Sequence, residues 1–514
     1  MSTAQQQPSK PTDTASPGRS VRRHDLDALR GFAMVLGIAL HASMSFFTGF
    51  WVVQDVTADD DSYFDEFFHA VHGFRMPLFF LLSGFFTAML WRRRGLGELL
   101  IQRLKRIALP LAIGLVTIVP AVNWSIDWAI DNGVEDYIDE SGDIWAAVFV
   151  GNGPAVEELL VRGVDVNAPN PSEGGDRPLH VAAFVGDVDM VELLLANGAD
   201  PNLRAPGGLP VEYAVFVGSD PVAQRLVDAG SVDPRAGGEE WEELSYWAEG
   251  EAEAERAEAK FGLASWLTSL HHLWFLWFLL WLVAGFAVIA FTLDRVRWIS
   301  AAVRSWSPLL MWALVPIAVV PQLRMGNGGD IPVFGPDTST GWLPIWHVLG
   351  YYAVFFAFGS FLFGQKDRNG EPLVGSLGRW WPVLLPLAFF VVLPVGLHLT
   401  FGTDTAWPLV SMVQVGYAWL AIVALLGLFR ALLGVERRGV RYLSDSAYWL
   451  YLAHLPIVVI AQSWIRHWDL PATVKFLGLT TAVTIVLLMS YQLFVRYTAL
   501  GTLLNGKRIR PGQR

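Results

Sequence analysis

The sequence predicts an all-α polytopic membrane protein of about ten transmembrane helices, with an α-solenoid of helical repeats inserted between the third and fourth. Apolar residues make up 53% of the 514-residue chain and charged residues only 17%, whereas soluble proteins carry roughly 25% charged residues. Runs of about twenty mostly apolar residues recur, and each is long enough to cross a bilayer of roughly 30 Å. One long segment without such a run is acidic and internally repetitive.

The predicted elements follow one another simply along the chain. Residues 1–20 are rich in Ser, Thr, Gln and Pro and are expected to form a disordered cytoplasmic tail. The membrane domain has a first part, 21–126, with three helices and a second part, 262–500, with seven. A basic cytoplasmic tail, 501–514, follows. The predicted spans are 27–50, 66–90, 107–126, 266–292, 307–323, 342–363, 381–400, 408–433, 447–464 and 475–497.

Lys and Arg indicate the orientation of these spans, because cytoplasmic loops of membrane proteins are enriched in both residues. Basic clusters such as Arg92–Arg94 and Arg437–Arg438 fall on one side of the alternating spans. The short loops on the other side hold only Arg324, Arg466 and Lys475. We therefore expect a multi-pass protein of the cell (inner) membrane with both termini in the cytoplasm and the acidic insertion outside.

The insertion contains an internal repeat. The triplet Phe-Val-Gly occurs at 149–151, 184–186 and 216–218. The turn Val-Arg-Gly-Val-Asp-Val-Asn that begins at Val161 returns 35 residues later as Ala-Asn-Gly-Ala-Asp-Pro-Asn. The piece Arg-Pro-Leu-His-Val-Ala at 177–182 resembles the Thr-Pro-Leu-His-x-Ala signature of ankyrin repeats.

We therefore expect three extracytoplasmic ankyrin units over 143–232, about the minimum for a stable stack, and an acidic linker at 233–261. Residues 127–261 hold 29 Asp and Glu against 7 Lys and Arg, a net charge of −22, while the rest of the chain carries +11. Because the basic residues lie in short loops between spans, this split indicates a lipid bilayer and no nucleic-acid partner. The repeats are expected to bind a protein partner or a glycan, or to serve as a spacer or lid.

The first span carries ionisable side chains inside an apolar helix, which makes them functional candidates. Arg30 and His41 are eleven residues apart, within about 20° of one helix face and about 16 Å apart along the axis. This spacing suits an anionic ligand with a long thin arm, with phosphate on Arg30 and the reactive end at His41. Asp27 is placed to hold the Arg30 guanidinium. The alternative is a snorkelling interfacial Arg and a hydrogen-bonded core His.

Other spans bring polar side chains to a similar predicted depth. His72 and Arg75 lie in the second span, His272 in the fourth and His347 in the sixth. Several such groups at one depth indicate a polar cavity in the outer half of the membrane. His454, in the ninth span, is expected in the inner half.

Several chemistries find no support in the sequence. The chain has no Cys, which excludes a thiol nucleophile and a Cys-ligated metal site. A His-Glu-x-x-His motif, a P-loop and a Gly-x-Ser-x-Gly elbow are absent. We therefore expect no metal ion.

Four ordered motifs resemble those of the acyltransferase-3 family of polytopic membrane proteins. The motifs are Arg30-x10-His41, the segment 74–85 (Phe-Arg-Met-Pro-Leu-Phe-Phe-Leu-Leu-Ser-Gly-Phe), the basic run 103–110 that ends in Pro, and 451–456 (Tyr-Leu-Ala-His-Leu-Pro). The combination of His69, His72, 74–76 and 272–276 (His-Leu-Trp-Phe-Leu) is similar to the branch that succinylates osmoregulated periplasmic glucans. The resemblance covers about 1–126 and 262–500, and the ankyrin insertion departs from it.

The resemblance implies transfer of an acyl group, acetyl or succinyl, from cytoplasmic acyl-CoA to an extracytoplasmic carbohydrate hydroxyl, such as that of a periplasmic glucan. By the same match, His41 would be the catalytic histidine and Arg30 a residue of the donor channel. The alternatives are a non-enzymatic sensor or scaffold that binds a partner through the repeats, and a glycan or lipid transporter.

The mechanism expected from these residues has the donor phosphates on Arg30 and Arg106. Neutral His41 would act as general base on the sugar hydroxyl, which attacks the thioester carbonyl. The developing oxyanion would be stabilised by Arg75, His72 or His272. A covalent acyl-histidine relay is the alternative route.

Overall fold

Helices dominate the computed structural model, which describes residues 23–47, 51–59, 62–141, 143–149, 151–170, 175–205, 207–232, 269–326, 333–402 and 406–505. Within these ranges no β-strand occurs, in agreement with the predicted all-α class. The predicted tail 1–20, the linker 233–261 and most of the tail 501–514 lie outside the described residues.

Three long helices form the first part of the membrane domain. A π-helical turn, Leu104–Ala108, joins the second helix to the third. The helices are α1 His24–Ser43, α2 Tyr63–Arg103 and α3 Leu109–Ser141.

Six short helices form the inserted domain, two in each of three repeats. They are α4 Ile144–Phe149, α5 Gly153–Val161, α6 Pro178–Val185, α7 Val188–Ala196, α8 Pro210–Phe216 and α9 Asp220–Asp228.

The second part of the membrane domain begins with a 3₁₀ turn, His271–Leu273. Two further π-helical turns, Ala388–Val392 and Tyr491–Val495, lie within it. Its helices are α10 Trp274–Arg295, α11 Arg297–Ile317, α12 Val319–Gln322, α13 Trp346–Leu362, α14 Leu373–Ser376, α15 Trp381–Leu387, α16 Leu393–Phe401, α17 Trp407–Leu433, α18 Arg438–Ile465, α19 Ala472–Ser490 and α20 Ala499–Asn505.

Seven helical segments of the described chain are long and apolar enough to cross a membrane. One of them, Tyr63–Ile130, is 68 residues long and covers both the second and the third predicted spans. Two shorter apolar helices, Trp306–Gln322 and Trp346–Leu362, coincide with the fifth and sixth. The polytopic, all-α class is thus confirmed, while the number of crossings stays a prediction.

Glycines allow the central helices of the membrane domain to approach closely. Helices α2 and α13 form the most extensively packed pair. A Cβ atom added at Gly84 would overlap the carbonyl of Phe356, and one added at Gly359 would overlap the carbonyl of Leu81. Backbone contact through small residues is how membrane helices gain packing energy when water provides no driving force.

The first predicted span is too long. Helix α1 ends at Ser43, and the chain turns there, although apolar residues continue to position 51. Phe46 packs on Phe64 of α2 with ring centroids 5.0 Å apart, and Phe47 packs on Phe68 at 5.6 Å. These aromatic residues are buried against protein and do not extend the helix through lipid.

The insertion is the predicted ankyrin stack, and hydrogen bonds along the repeat turns hold it together. The side chain of Asn167 donates to the carbonyl of Gly198 at 3.1 Å and accepts from the amide of Asp200 at 2.9 Å. One repeat later, Asn202 donates in the same way to the carbonyl of Gly230 at 3.2 Å. The Asp-x-Asn turns thus connect each repeat to the next.

His180 connects the second repeat to the third. Its Nδ1 accepts the amide hydrogen of Arg177 at 3.3 Å, and its Nε2 donates to the carbonyl of Gly208 at 3.2 Å. Burial lowers the pKa of His180 below its ordinary value, because the charged imidazolium loses hydration.

The repeats follow α3 directly, and contacts with this helix join them to the membrane domain. Near the end of α3, the carbonyl of Asn132 accepts a hydrogen bond from Arg466 at 2.6 Å. Arg466 follows α18 and lies close to the buried ion pair of Asp55 with Lys475. The repeats therefore leave the membrane domain at the end that carries Asp55, Arg466 and Lys475, which we call the cavity end.

Candidate active site

Helices α1 and α18 run parallel and make two polar contacts about three helical turns apart. At one level, Arg30 donates to the backbone carbonyl and the hydroxyl of Ser444, both at 3.0 Å. At the other level, the rings of His41 and His454 lie 5.2 Å apart. Eleven residues separate the contacts on α1 and ten on α18, so the two contacts lie about 15–16 Å apart along each helix axis, and on α1 they also share one face.

A cavity of about 310 Å³ opens around the second of these contacts. Its walls come from helices α1, α2 and α18, from the 3₁₀ turn and the first residues of α10, and from two loops. The apolar walls are formed by Met34, Leu40, Met44, Phe68, Met76, Phe79, Trp274, Phe275 and Leu455, and the polar or ring-nitrogen groups are those of His41, Trp51, His72, Arg75, His271, His272, Thr338, Thr340, Tyr451 and His454.

Four residues predicted from three different spans therefore meet in one place. His41, His72, Arg75 and His272 all line the cavity. His72, Arg75 and His272 also lie within electrostatic range of His41. The structure brings these side chains together, and their chemical roles stay predictions.

Backbone carbonyls orient three of the imidazole rings. Since a carbonyl only accepts, the ring nitrogen beside it must carry the hydrogen. Nε2 of His272 is 3.1 Å from the carbonyl of Leu452, and Nε2 of His72 is 2.9 Å from that of Pro336. In His454 it is Nδ1 that bonds, 2.8 Å from the carbonyl of Tyr451. Each neutral ring therefore keeps a lone pair on its other nitrogen.

Several of the remaining polar atoms of these side chains are buried without a partner among the described residues. They are Nδ1 of His41, Nδ1 of His272, Nε2 of His454 and Nε of Arg75. A buried polar atom left unpaired costs about 1–3 kcal/mol, so such atoms are rare in folded proteins. Four such atoms border this one cavity, which makes it suited to a polar ligand.

Arg75 is the cation of the cavity. Among the described residues it has no hydrogen-bonded or ion-paired partner, and the described cavity lining contains no carboxylate. The hydroxyls of Tyr352 and Tyr451 lie close enough to the guanidinium to interact with it electrostatically. A Cβ atom at Gly37 would overlap the guanidinium, so this glycine gives Arg75 its place against α1.

The loop that follows α1 covers one side of the cavity. Trp51 lies 5.9 Å from the ring of His41 and donates to Gln462 at 2.8 Å. Gln462 in turn donates to the carbonyl of His41 at 2.9 Å, which satisfies an acceptor at the end of α1. Lys475 holds the same loop through Asp55 at 2.9 Å, with both side chains almost fully buried.

A second loop, 333–345, covers the other side. Its Pro336 carbonyl accepts from His72, and its Thr338 and Thr340 line the cavity. The amide of Gln322 holds the loop through the carbonyl of Gly335 at 3.1 Å. Burial raises the pKa of Asp337 in this loop above its ordinary value.

Arg30, Asp27 and Arg106 do not line the cavity. Arg30 lies one helical turn before Met34, which is about 6 Å along the axis of α1. Asp27 approaches the Arg30 guanidinium to 3.8 Å, as expected from their spacing. Arg106 lies close enough to Arg30 and Arg94 for their like charges to interact. These arginines form what we call the basic end of the site.

Two histidine placements correct the sequence-based view. His454 lies beside His41, not in the opposite half of the membrane, because α18 begins at Arg438 and the predicted span began nine residues too late. His347 lies outside the cavity, near Asp337. Arg30 and His41 are eleven residues apart, and Ser444 and His454 are ten residues apart. This similar rise along two helices was the signal in the sequence that could have placed His454 at the depth of His41.

A family model described as an acyltransferase domain matches residues 23–156 and 209–491, which is well over half of the chain. The chain belongs to the acyltransferase-3 family. A second model, for three copies of ankyrin repeats, matches residues 144–236. The membrane acyltransferase domain is thus interrupted by an ankyrin domain, as the sequence predicted.

Curated relatives are similar over a shorter stretch. The chain is 34% identical over 105 residues to Glucans biosynthesis protein C of Escherichia coli strain SMS-3-5 / SECEC. It is 33% identical over 105 residues to the protein of the same name from Escherichia coli strain K12. In each case the match covers 20% of this chain and 27% of the relative's length.

Proposed function

We propose that this membrane acyltransferase moves an acyl group, acetyl or succinyl, from cytoplasmic acyl-CoA to a carbohydrate hydroxyl on the other side of the membrane, such as that of a periplasmic glucan. The observation that carries the proposal is the cavity that holds His41 and Arg75, in which a ring nitrogen of His41 and the Arg75 guanidinium have no partner among the described residues. The glucan-related name of the relatives supports a carbohydrate acceptor.

The donor would enter from the basic end. The positive charges of Arg30 and Arg106 suit the phosphates of coenzyme A, and Asp27 holds Arg30 in position. From Arg30 to His41, α1 rises about 16 Å. The cavity borders α1 from Met34 to Met44, so an extended pantetheine arm would bring the thioester to the imidazole.

The acceptor would enter from the cavity end. His41 takes the proton of the hydroxyl, whose oxygen attacks the thioester carbonyl carbon. As the carbon–oxygen bond forms, negative charge collects on the carbonyl oxygen, where Arg75, His72 or His272 stabilises it. The carbon–sulfur bond then breaks, and its electron pair leaves with the sulfur of coenzyme A, which takes up the proton.

The role of His41 is tested with the substitution His41→Ala in the purified full chain. We expect acyl transfer from acetyl-CoA or succinyl-CoA to soluble glucan to fall by about 10²–10⁴-fold, the usual contribution of a general base. Mass spectrometry of the glucan measures the transfer. His347→Ala serves as the control because this histidine lies outside the cavity. Near-normal acylation by His41→Ala would remove His41 from the mechanism.

We propose a separate role for the ankyrin repeats, which is to bind a protein partner with a basic and partly apolar surface. Phe149 and Phe184 lie in the last turn of the first helix of successive repeats and are 60% and 47% exposed. Exposed aromatic side chains in a row indicate an interaction surface, and the acidic surroundings favour a basic partner. Deleting 143–232 should remove partner binding while acyl transfer by the membrane domain continues.

A further inference from the structure

The cavity contains a histidine that the reaction scheme above leaves unused. His454 is 5% exposed, and its ring centroid lies 5.2 Å from that of His41 and 5.0 Å from that of His272. The three rings come from three different elements, α18, α1 and the 3₁₀ turn before α10. Helix packing therefore brings them together, not their proximity in the sequence.

The hydrogen bonds of His454 determine which of its nitrogens can accept a proton. Nδ1 lies 2.8 Å from the carbonyl of Tyr451 and must donate to it. Nε2 of the neutral ring then carries a lone pair, and this atom is buried without a partner among the described residues. A histidine whose tautomer is set by a backbone carbonyl is prepared to act as a base.

The groups that face His454 explain why a proton would pass through it without staying. They are His41 on α1, Arg75 on α2, and His272 in the 3₁₀ turn before α10, with Tyr451 on α18 itself. The cationic Arg75 opposes a lasting second positive charge in a cavity whose described lining has no carboxylate. A proton taken up here is therefore readily given away.

We propose that His454 is a second catalytic residue, which shares with His41 the proton that is moved in each transfer. This inference rests on the proposed function. His41 takes the proton as the O–H bond of the acceptor breaks and the new carbon–oxygen bond forms. The proton passes from His41 to Nε2 of His454 and from there to the sulfur that left with the carbon–sulfur electron pair. The products are the ester, the free thiol of coenzyme A and two neutral imidazoles.

The test compares His454→Gln with His69→Gln in the purified full chain, with acetyl-CoA or succinyl-CoA as donor and soluble glucan as acceptor. Glutamine has a similar size but does not titrate. His69 is a matched control because it is 4% exposed and lies outside the cavity, paired with Asp65. We expect His454→Gln to lower kcat by about 100-fold, with little change in KM for the donor and loss of one limb of the pH–rate profile. We expect His69→Gln to retain activity.

A second measurement does not need turnover. Diethyl pyrocarbonate acylates neutral imidazole nitrogens, and mass spectrometry of the full chain shows which histidines react at each pH. We expect both His41 and His454 to react, and we expect His454→Gln to shift the pH midpoint at which His41 reacts, since interacting sites titrate together. If the pH midpoint of the His41 reaction is the same in His454→Gln and in the parent, the proposal that the two histidines share a proton is wrong.

The outcomes separate this inference from the proposed function. If His41→Ala is inactive while His454→Gln keeps kcat within about threefold of the parent, the role of His454 is wrong and the acyltransferase mechanism stands. If neither substitution lowers kcat, both proposals are wrong. If both substitutions lower kcat, and His454→Gln leaves the KM for the donor unchanged while one limb of the pH–rate profile is lost, His454 acts in proton transfer as proposed; an unaltered pH profile of His454→Gln overturns that role.

Discussion

Gly37 determines where the guanidinium of Arg75 can lie. The guanidinium rests against Gly37 of α1 and reaches the cavity because this position has no Cβ. Because Arg75 has no partner within the described part of the chain, its full charge would be available to the proposed oxyanion. Groups of this kind contribute most when they are fixed before the reaction starts. In the proposed mechanism, the glycine would act on catalysis through Arg75 and would need no contact with substrate.

Replacing Gly37 with Ala should reduce activity without unfolding the protein. The new methyl group would displace the Arg75 guanidinium, and a misplacement of about 1 Å at a catalytic group costs about 100-fold in rate. We expect a lower kcat for Gly37→Ala in the glucan acylation assay. Gly416→Ala is the control because open space surrounds that position in α17. Equal kcat for the two variants would show that the position of Arg75 does not matter.

The sequence was sufficient to predict four of the cavity side chains but not their neighbours. His41, His72, Arg75 and His272 could be grouped because their distances from the ends of the spans are similar. The contact of His41 with His454 depends on where α18 begins and on which helices are adjacent. Hydropathy contains neither piece of information, since any apolar helix can lie beside any other in a bilayer.

At the scale of helices, the contact of α2 with α13 depends on close backbone approach. Gly359→Ala would force its methyl group into the carbonyl of Leu81, and overpacking of this kind costs about 1–3 kcal/mol. We expect a lower thermal unfolding midpoint in detergent. Gly350→Ala, on the same helix and with nothing within 4 Å of the new atom, should unfold like the parent. If both variants unfold at the parent temperature, the close approach contributes nothing to stability.

The ankyrin helices should lose stability in mild acid because of His180. Burial lowers the pKa of His180 in the folded repeats, so the unfolded state binds the proton more readily. Its contribution to stability is complete above the unfolded pKa of about 6.5 and is lost as the pH falls through and below that value. Hydrogen exchange of 178–185 in the full chain, corrected for intrinsic rates, should accelerate towards about pH 5.5.

The matching variant for this test is His180→Gln, which does not titrate in that range. Its hydrogen exchange should depend less on pH than that of the parent, whatever its overall stability. If the protection of 178–185 from hydrogen exchange falls equally with pH in His180→Gln and in the parent, carboxylates and not His180 cause the acid sensitivity.

Helix boundaries were the less predictable part of the elements. The first span was extended to residue 50 because apolar residues continue past Ser43, yet Phe46 and Phe47 are covered by aromatic residues of α2. The ninth span was started late because α18 begins with a polar turn, Arg438–Asp445, below the apolar stretch. Hydropathy records whether a residue avoids water, but it does not distinguish burial in protein from burial in lipid.

At the scale of the whole molecule, two ends with different chemistry define the proposed reaction. Arg30, Arg94 and Arg106 mark the basic end, whereas the repeats and the cavity lie towards Asp55, Arg466 and Lys475. The bias of Lys and Arg in the sequence predicts that the basic end faces the cytoplasm. The repeats would then lie outside, on the side from which the acceptor arrives.

This orientation can be tested with single cysteines, because the parent chain contains none. Val161 in the repeats is 88% exposed, and Val435, beside the basic residues at the start of α18, is 79% exposed. We expect Val161→Cys to react with a membrane-impermeant maleimide in spheroplasts, and Val435→Cys to react only after the membrane is opened. The reverse pattern would place the repeats in the cytoplasm and require the donor to enter elsewhere.

The most direct measurement is an experimental structure of the protein bound to a thioether analogue of acyl-CoA, which resists transfer. We expect the phosphates of the analogue to lie near Arg30 and Arg106, its pantetheine arm beside α1, and its acyl carbon within reach of His41 and Arg75. An analogue whose acyl carbon lies outside the cavity, with His41 in contact with protein alone, would contradict this expectation.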